Sequence, residues 1–362
     1  MKKSLGYIVM SLVILFGFSA PKAFAGNEDR SGQAGAAELL INPWAASSGW
    51  GNAGMSFVHG VEAMYGNVAG IANINKFELN FTHTDWLKGT DIKMSAFGLL
   101  AKVGESSVIG LSMTSFNIGE IDITTNNNPD PGTLGTYEPK LMNINLAFAK
   151  SFSNSISGGF NLKIISESIK DMSGMGVAID AGIQYVTGPF DNIHFGITLK
   201  NIGPTMSFNG DGISFKAYLQ HGVDNQFTVN QRTGAFELPT QLSIAAAYDF
   251  HFAETSRLTV AGNFCSNSFT KDQFIGGLEY GWREILLLRV GCTYEKGLWA
   301  GSNDAIYDEN DCMNLNRGLS AGCSVQIPLS KKEDGVKLAV DYSFRQTYSF
   351  SGTHSIGARI LF

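Results

Sequence analysis

Charged residues are scarce in this sequence of 362 residues, where Asp, Glu, Lys and Arg together make up 16%. Soluble domains usually hold about 25%, so the low share indicates a large surface that does not face water. The net charge of −6 argues against a nucleic-acid partner, whose phosphates require a basic face. Beyond residue 25 the sequence also lacks a run of about 18 apolar residues, which excludes a transmembrane helix. A closed β-barrel remains as the way to cross a bilayer, because lipid offers no partners to free backbone groups.

Sequence signatures of catalysis and of metal binding are missing as well. There is no GxSxG or HExxH motif, and the six histidines are scattered. We predict that His194 and His251 are ordinary residues of a barrel interior. The cysteines are too irregularly spaced for a zinc or CxxC site, and we interpret them as small apolar side chains: Cys265, Cys292, Cys312 and Cys323. We therefore expect no enzyme, no metal and no cofactor.

The amino-terminal stretch has the pattern of a secretory signal peptide. Lys2 and Lys3 precede an apolar run over residues 7–18, and the small-x-small sequence Ala23-Phe24-Ala25 follows. The run is too short to span a membrane. We therefore expect a signal peptide at residues 1–25, export, and a mature chain in the outer membrane of a Gram-negative cell.

Apolar and polar residues alternate along most of the chain after residue 75, which is typical of strands with one face in lipid. In "QLSIAAAYDFHF", Leu242, Ile244 and Phe250 share one face, while Gln241 and Ser243 share the other. The pattern predicts an all-β fold, a 14-stranded antiparallel transmembrane β-barrel over residues 76–362. Its strands are expected near 76–86, 91–103, 107–118, 139–152, 155–168, 175–187, 193–202, 240–252, 256–266, 272–281, 285–295, 317–327, 335–345 and 352–362.

The connections between these strands support the prediction. If the first strand rises from the periplasm, every long connection falls outside the cell and the short ones fall in the periplasm, as in known barrels. The last strand is expected to pair with the first, near "KFELNF", so that no edge stays open. The charged residues predicted to face the interior should pair with one another and with whatever fills it: Glu78, Lys163, Asp180, Lys200, Asp249, Glu279, Arg289, Lys337, Asp341 and Arg359.

A barrel of 14 strands is too wide for its own side chains to fill. Residues 26–75 precede the first strand, lack strand alternation, and predict short helical turns around 36–40 and 61–65. We interpret them as a plug, or hatch, within the barrel; the alternative is a mobile periplasmic leader. The residues expected to build the plug are Trp44, Trp50, Gly51, Asn52, Gly54, Met55, Tyr65, Asn67 and Gly70.

The plug segment "GWGNAGMSFVHGVEAMYGNVAGIA", followed at once by a strand, resembles the amino-terminal hatch of the FadL-like barrels. With "AGAAELLINPWAASSGW", "GVAIDAGIQYVTG" and "ITLKNIG", the chain is similar to the PorV/PorQ family of Bacteroidetes outer-membrane proteins. That family usually has Asn-Pro-Ala-Gly where this chain has Asn67, Val68, Ala69 and Gly70. The resemblance implies a component of type IX protein secretion. Its partners would be translocon or attachment-complex proteins and the carboxyl-terminal domains of secreted cargo, with outer-membrane lipid around the barrel.

The long connection from about residue 203 to 239 is the predicted partner-binding region, because it carries many apolar residues where water is expected. These residues are Met206, Phe208, Phe215, Tyr218, Phe227 and Phe236. The alternative is that they fold over the barrel mouth as a lid. A partner surface favours PorV-like binding of secreted proteins, whereas a lid favours FadL-like transport of hydrophobic small molecules.

Overall fold

A computed structural model describes residues 28–218, 226–253, 255–296, 315–329, 335–348 and 350–362. The predicted signal peptide at 1–25 and Cys312 lie outside these ranges. The fourteen barrel strands are β1 (Phe77–Asp85), β2 (Lys93–Val103), β3 (Ser107–Asn117), β4 (Lys140–Ser151), β5 (Ile156–Ile169), β6 (Met172–Thr187), β7 (Ile193–Ile202), β8 (Gln241–Ala253), β9 (Ser256–Asn267), β10 (Gln273–Trp282), β11 (Leu286–Glu295), β12 (Asn316–Pro328), β13 (Lys337–Thr347) and β14 (Thr353–Leu361).

The strands form one closed antiparallel barrel, which confirms the predicted fold class. Each strand pairs with its neighbours in the chain, and β14 pairs with β1 through the register Glu78↔Leu361. The rings of Phe77 and Phe362 lie 5.6 Å apart beside this seam. Within the described part of the chain, no helix has the length and apolarity to cross a membrane.

The alternation seen in the sequence separates the two faces of the wall. In β14, Ser355 and Arg359 are buried inside the barrel, whereas the intervening Ile356 is exposed on the outside. The same two-residue period holds in β3 and β10. The apolar side chains on the outside form the face that contacts lipid in an outer-membrane barrel.

The two ends of the barrel differ in their connections. The long connections 118–139, 203–240 and 296–315 all leave from one end, which we call the long-loop end. The turns 104–106, 152–155, 188–192 and 283–285 lie at the other, the short-turn end, where β8 also leads to β9 and β12 leads to β13. One prediction is wrong in detail: β5 and β6 extend further than expected and join through Lys170 and Asp171, because Lys170 adopts a left-handed φ of 47° that closes a tight turn.

Residues 28–75 lie within the barrel, and we call this segment the hatch. It contains one short α-helix, α1 (Ala45–Ser48), and 3₁₀ helices at Glu28–Arg30, Ala37–Leu40, Val61–Met64 and Val68–Ala72. Two of these turns lie where the sequence predicts them. The long connections add a short pairing at Ile121–Asp122 with Thr136–Tyr137, a strand Phe208–Asn209 beside β6, the 3₁₀ turn Asp211–Ile213, and a hairpin of Ser214–Tyr218 with Gln226–Asn230.

Candidate functional site: the hatch and its two chambers

One side of the hatch is apolar and packs against strands β2 to β4. Trp44, Val61 and Met64 are buried there. The wall meets them with Ala96, Leu100, Val108, Ala147 and Ala149, all of which point into the barrel. This contact explains why β2 is apolar on both faces: one face touches lipid and the other touches the hatch.

Wall and hatch glycines allow the two to touch backbone to backbone. A Cβ on Gly70 would overlap the carbonyl oxygen of Val58, within the hatch itself. A Cβ on Gly49 would lie 2.8 Å from the Cα of Gly322 in β12. Since neither backbone can retreat, a larger residue at Gly49 pushes the hatch off the wall, and a larger residue at Gly70 distorts the hatch itself.

Asn67 connects three parts of the molecule. Its side-chain oxygen accepts a hydrogen bond from the Ala69 main chain at 3.2 Å and so caps the 3₁₀ helix Val68–Ala72. Its amide donates to the carbonyl of Met55 at 3.2 Å and to that of Ile183 in β6 at 3.0 Å. The side chain is fully buried, so water cannot replace it as the hydrogen-bond partner of these main-chain groups.

A second apolar contact is built around Trp50, which is buried with Ala53 against Ala247, Ala261 and Ile275 of β8 to β10. The chain reverses at Gly51 and Asn52, which have φ values of 66° and 69°. Gly54 leaves room for the Trp50 ring, since a Cβ there would overlap it. Met55 is buried, and Tyr65 is half-buried with its hydroxyl donating to the Leu40 carbonyl at 2.7 Å.

Buried charges hold the hatch near the β1–β14 seam. Arg359 donates two hydrogen bonds to the carboxylate of Asp341, at 2.6 and 2.8 Å. Glu62 of the hatch accepts from the main chains of Ala46 and Ser47 at 3.2 and 2.7 Å. Burial raises the pKa of Glu62 above the ordinary carboxyl range, and the positive charge of Arg359 opposes that effect.

The remaining interior charges pair in smaller groups. Lys163 lies 2.7 Å from Asp180, and Arg289 lies 2.6 Å from Glu279. His194 lies 3.0 Å from Asp249, whereas His251 is exposed at the short-turn end. Among the other predicted interior charges, Glu78 accepts from the Val61 main chain at 3.1 Å, Lys200 lies 4.1 Å from the Tyr65 ring centre, and Lys337 is half-buried.

The hatch leaves a chamber on each of its sides. The larger, of about 500 Å³, lies at the short-turn end between the hatch and the wall. Its lining combines the apolar side chains of Trp50, Phe57, Val58 and Leu287 with Arg257 and other charged residues. The smaller, of about 240 Å³, lies at the long-loop end; its lining includes Met55, Tyr65, Trp86, Ile275, Lys200 and Arg345.

The predicted partner-binding residues fall into two groups. Met206 is 1% exposed and pairs through its main chain with Phe236, beside Ala36 and Leu39 of the hatch. Phe208 is half-buried and packs on the Phe236 ring at 5.6 Å. The expectation that these three face water is therefore wrong, because they fold back on the wall and the hatch.

The hairpin of the same connection is the part that is exposed. Phe215 and Phe227 are 53% and 45% exposed. Phe215 lies opposite Val229, and Ala217 lies opposite Phe227, so the four share one face of the hairpin. The side chain of Tyr218 lies outside the described residues.

Sequence reasoning missed the link between the start of the hatch and the long connection. Arg30 lies 2.6 Å from Glu237, and the Gly35 main chain donates to the Glu237 carbonyl at 3.1 Å. The guanidinium of Arg30 also lies over the ring of Phe269, 4.3 Å from its centre. The two partners are far apart in the chain and belong to no motif, so no local signal marks them.

No family model and no curated protein matches this sequence. Solved structures are similar in fold. The toluene transporter TodX of Pseudomonas putida aligns with a TM-score of 0.52 and 13% identity, over 88% of this chain and 97% of that one. A TodX deltaS2S3 mutant, a monoaromatic hydrocarbon channel, aligns with a TM-score of 0.53 and 12% identity, over 88% and 98%. A FadL homologue from Pseudomonas aeruginosa gives 0.44 and 11%, over 87% and 96%.

The two TodX likenesses show the fold: this chain folds as those outer-membrane β-barrels do. The TodX structures are described as a transporter and as a channel for monoaromatic hydrocarbons. The barrel fold that the FadL-like resemblance implied is therefore confirmed. The narrower PorV/PorQ assignment, and with it a role in type IX secretion, stays a prediction.

Proposed function

We propose that this protein carries small hydrophobic molecules across the outer membrane, and that the hatch controls their passage. The observation that supports the proposal is a closed barrel whose interior is divided by the hatch into two chambers at opposite ends. The similar TodX barrel is described as a toluene transporter. In our proposal the signal peptide exports the chain, and the long-loop end faces the cell exterior.

The chambers have the size and the surfaces that such molecules require. A cavity of about 150 Å³ is enough for benzene, so both chambers have room for a monoaromatic compound. Met55, Tyr65 and Trp86 offer apolar contacts at the long-loop end, and Trp50 and Phe57 offer them at the short-turn end. Because the hatch separates the chambers, a molecule passes only if the hatch moves relative to the wall.

A reversible crosslink tests this proposal. The Cβ of Ala45 in the hatch lies 3.2 Å from the position of a Cβ on Gly357 in β14, close to the spacing of a disulfide. In cells with a lipopolysaccharide outer membrane, the Ala45→Cys/Gly357→Cys pair should take up labelled toluene only after reduction. In the single Ala45→Cys variant, neither oxidation nor reduction should change the uptake of toluene. Uptake no faster than in cells without the protein contradicts transport; full uptake by the oxidised pair contradicts control by the hatch.

A second candidate function is supported by the hairpin. Its exposed apolar face, with Phe215, Phe227 and Val229, has the character of a protein contact, as in PorV-like binding of type IX components and secreted cargo. Copurification from native membranes tests it. Phe215→Ser/Phe227→Ser should lose secreted proteins that the wild type retains. Lys216→Ser/Thr228→Ser, on the opposite face, should keep them; equal recovery by both variants contradicts the role.

A further inference from the structure

Two positive charges face the chamber at the long-loop end without an acidic partner. Lys200 of β7 is 3% exposed, and Arg345 of β13 is half-buried. Both side chains line this chamber of about 240 Å³. Among the residues that the structure describes, no Asp or Glu forms an ion pair with either of them. By contrast, Lys163, Arg289 and Arg359 each lie within 2.7 Å of a carboxylate.

The groups around the two cations do not compensate their charges. The ammonium group of Lys200 lies 4.1 Å from the centre of the Tyr65 ring and 3.5 Å from the Tyr65 carbonyl oxygen. Arg345 is within electrostatic range of the same tyrosine. Asp180 acts on Lys200 from a distance, but its carboxylate is already paired with Lys163 at 2.7 Å. A buried cation without a countercharge is costly, so an anion in the chamber would stabilise both side chains.

One carboxylate also lines the chamber. Glu295 of β11 is 3% exposed and accepts a hydrogen bond from the side-chain amide of Gln273 at 2.8 Å. With Lys200 and Arg345 it leaves the described lining with one positive charge in excess. The chamber at the short-turn end has the opposite balance, since more carboxylates than Lys and Arg side chains line it. The long-loop chamber is therefore the one that favours an anion.

The rest of the long-loop chamber suits an aromatic ring. Met55, Trp86 and Ile275 supply apolar and aromatic surface to its lining. Because a cavity of about 150 Å³ holds benzene, the chamber has room for one ring with a carboxylate group attached. A long alkyl chain would extend beyond it. The size and the charge together point to a small aromatic acid.

We propose that the long-loop chamber binds small aromatic carboxylates, with Lys200 and Arg345 holding the carboxylate and the apolar side chains contacting the ring. A guanidinium group can donate two parallel hydrogen bonds to a carboxylate, and an ammonium group adds a point charge. Since Tyr65 neighbours both cations, one carboxylate beside its ring can meet both. The inference rests on the proposed transport and narrows it: an ionised acid crosses lipid far less readily than toluene, so it has more need of a protein route.

Isothermal titration calorimetry of the full-length protein in detergent at pH 7 tests the site, with sodium benzoate, sodium acetate and toluene as the ligands. Benzoate has both the ring and the charge. It should therefore bind at least about tenfold more tightly than acetate, which lacks the ring, or toluene, which lacks the charge. The measurement needs no membrane, so it does not depend on transport.

Variants of the two cations test their role. Lys200→Met and Arg345→Met should each lower the affinity for benzoate at least about tenfold relative to the affinity for toluene. Lys93→Met removes an exposed cation at the same end but outside the chamber, and should bind benzoate as the wild type does. Lys200→Met should unfold at or above the wild-type temperature, because a buried charge without a countercharge is gone. A misfolded variant would unfold below it.

The inference is overturned if acetate or toluene binds the wild type as tightly as benzoate does, or if both variants keep the wild-type affinity for benzoate. The uptake of labelled benzoate and toluene by cells separates this result from the fate of the transport proposal. Benzoate binding without uptake of either compound would contradict transport and support the site. Toluene uptake without benzoate binding would contradict the site alone.

Discussion

Asn67 in the hatch and Ile183 in β6 are joined by a hydrogen bond of 3.0 Å from the side-chain amide to the main-chain carbonyl. Asn67→Ala removes it together with the bonds to Met55 and Ala69, and leaves buried groups unsatisfied. We expect the free energy of unfolding to fall by about 2–3 kcal/mol. Urea unfolding in detergent, followed by tryptophan fluorescence, measures the change. Asn127→Ala, at an exposed position of the connection between β3 and β4, is the control and should match the wild type.

Gly70 tests the closeness of packing inside the hatch. A methyl group there meets the carbonyl oxygen of Val58, which belongs to the backbone and cannot move aside. Gly70→Ala should lower the free energy of unfolding by about 2 kcal/mol. Gly262→Ala, on the lipid face of β9 with no atom within 4 Å of the new methyl, should stay within about 1 kcal/mol of the wild type. Equal effects of both substitutions would contradict the contact.

The pair of Arg359 and Asp341 should behave as a buried ion pair. Asp341→Asn leaves a buried guanidinium without its countercharge, and we expect a loss of about 3–5 kcal/mol in the free energy of unfolding. Arg30→Ala breaks the partly exposed pair with Glu237, where solvent screens the charges, and should cost about 1 kcal/mol or less. Both values come from the same urea titration. A small effect of Asp341→Asn would show that water reaches Arg359.

Val290 tests which face of the wall meets lipid. It lies in the middle of β11 and is exposed on the outside of the barrel. Val290→Arg should destabilise the protein by about 2–4 kcal/mol in bilayers, as expected of a charge at the membrane midplane. Ile285→Arg, in the turn before β11, should cost about 1 kcal/mol or less because it lies near the interface. Refolding into lipid vesicles over a urea series gives both values. A neutral Val290→Arg would contradict the membrane-facing wall.

The barrel could be predicted from the sequence because lipid acts on every strand in the same way. Each strand therefore alternates apolar and polar residues, as around Ile356 and Arg359. This pattern can be recognised in one strand without knowing which strands pair with it. β2 departs from this alternation because the hatch packs on its inward face, where Ala96 and Leu100 are apolar. The sequence also predicts two helical turns of the hatch, Ala37–Leu40 and Val61–Met64, because this segment lacks the alternation of a strand.

The site was less predictable because its contacts are distant in the chain. From its position in a long connection, Met206 is expected at the surface. In the structure it pairs with Phe236 and packs on Leu39. The same holds for Glu38 and Glu167, which are unremarkable acidic residues in sequence and become a pair only when the hatch enters the barrel. Local periodicity reports the environment of a face but not the identity of its neighbour.

Closure of β14 on β1 sets an order of assembly. The hatch precedes β1 in the chain, and the seam from Glu78 to Leu361 joins the first and last strands of the barrel. Because Gly49 and Gly322 touch backbone to backbone, the folded hatch has no room to slide past β12 at this point of the closed barrel. We therefore expect the hatch to take its place before the β1–β14 seam closes.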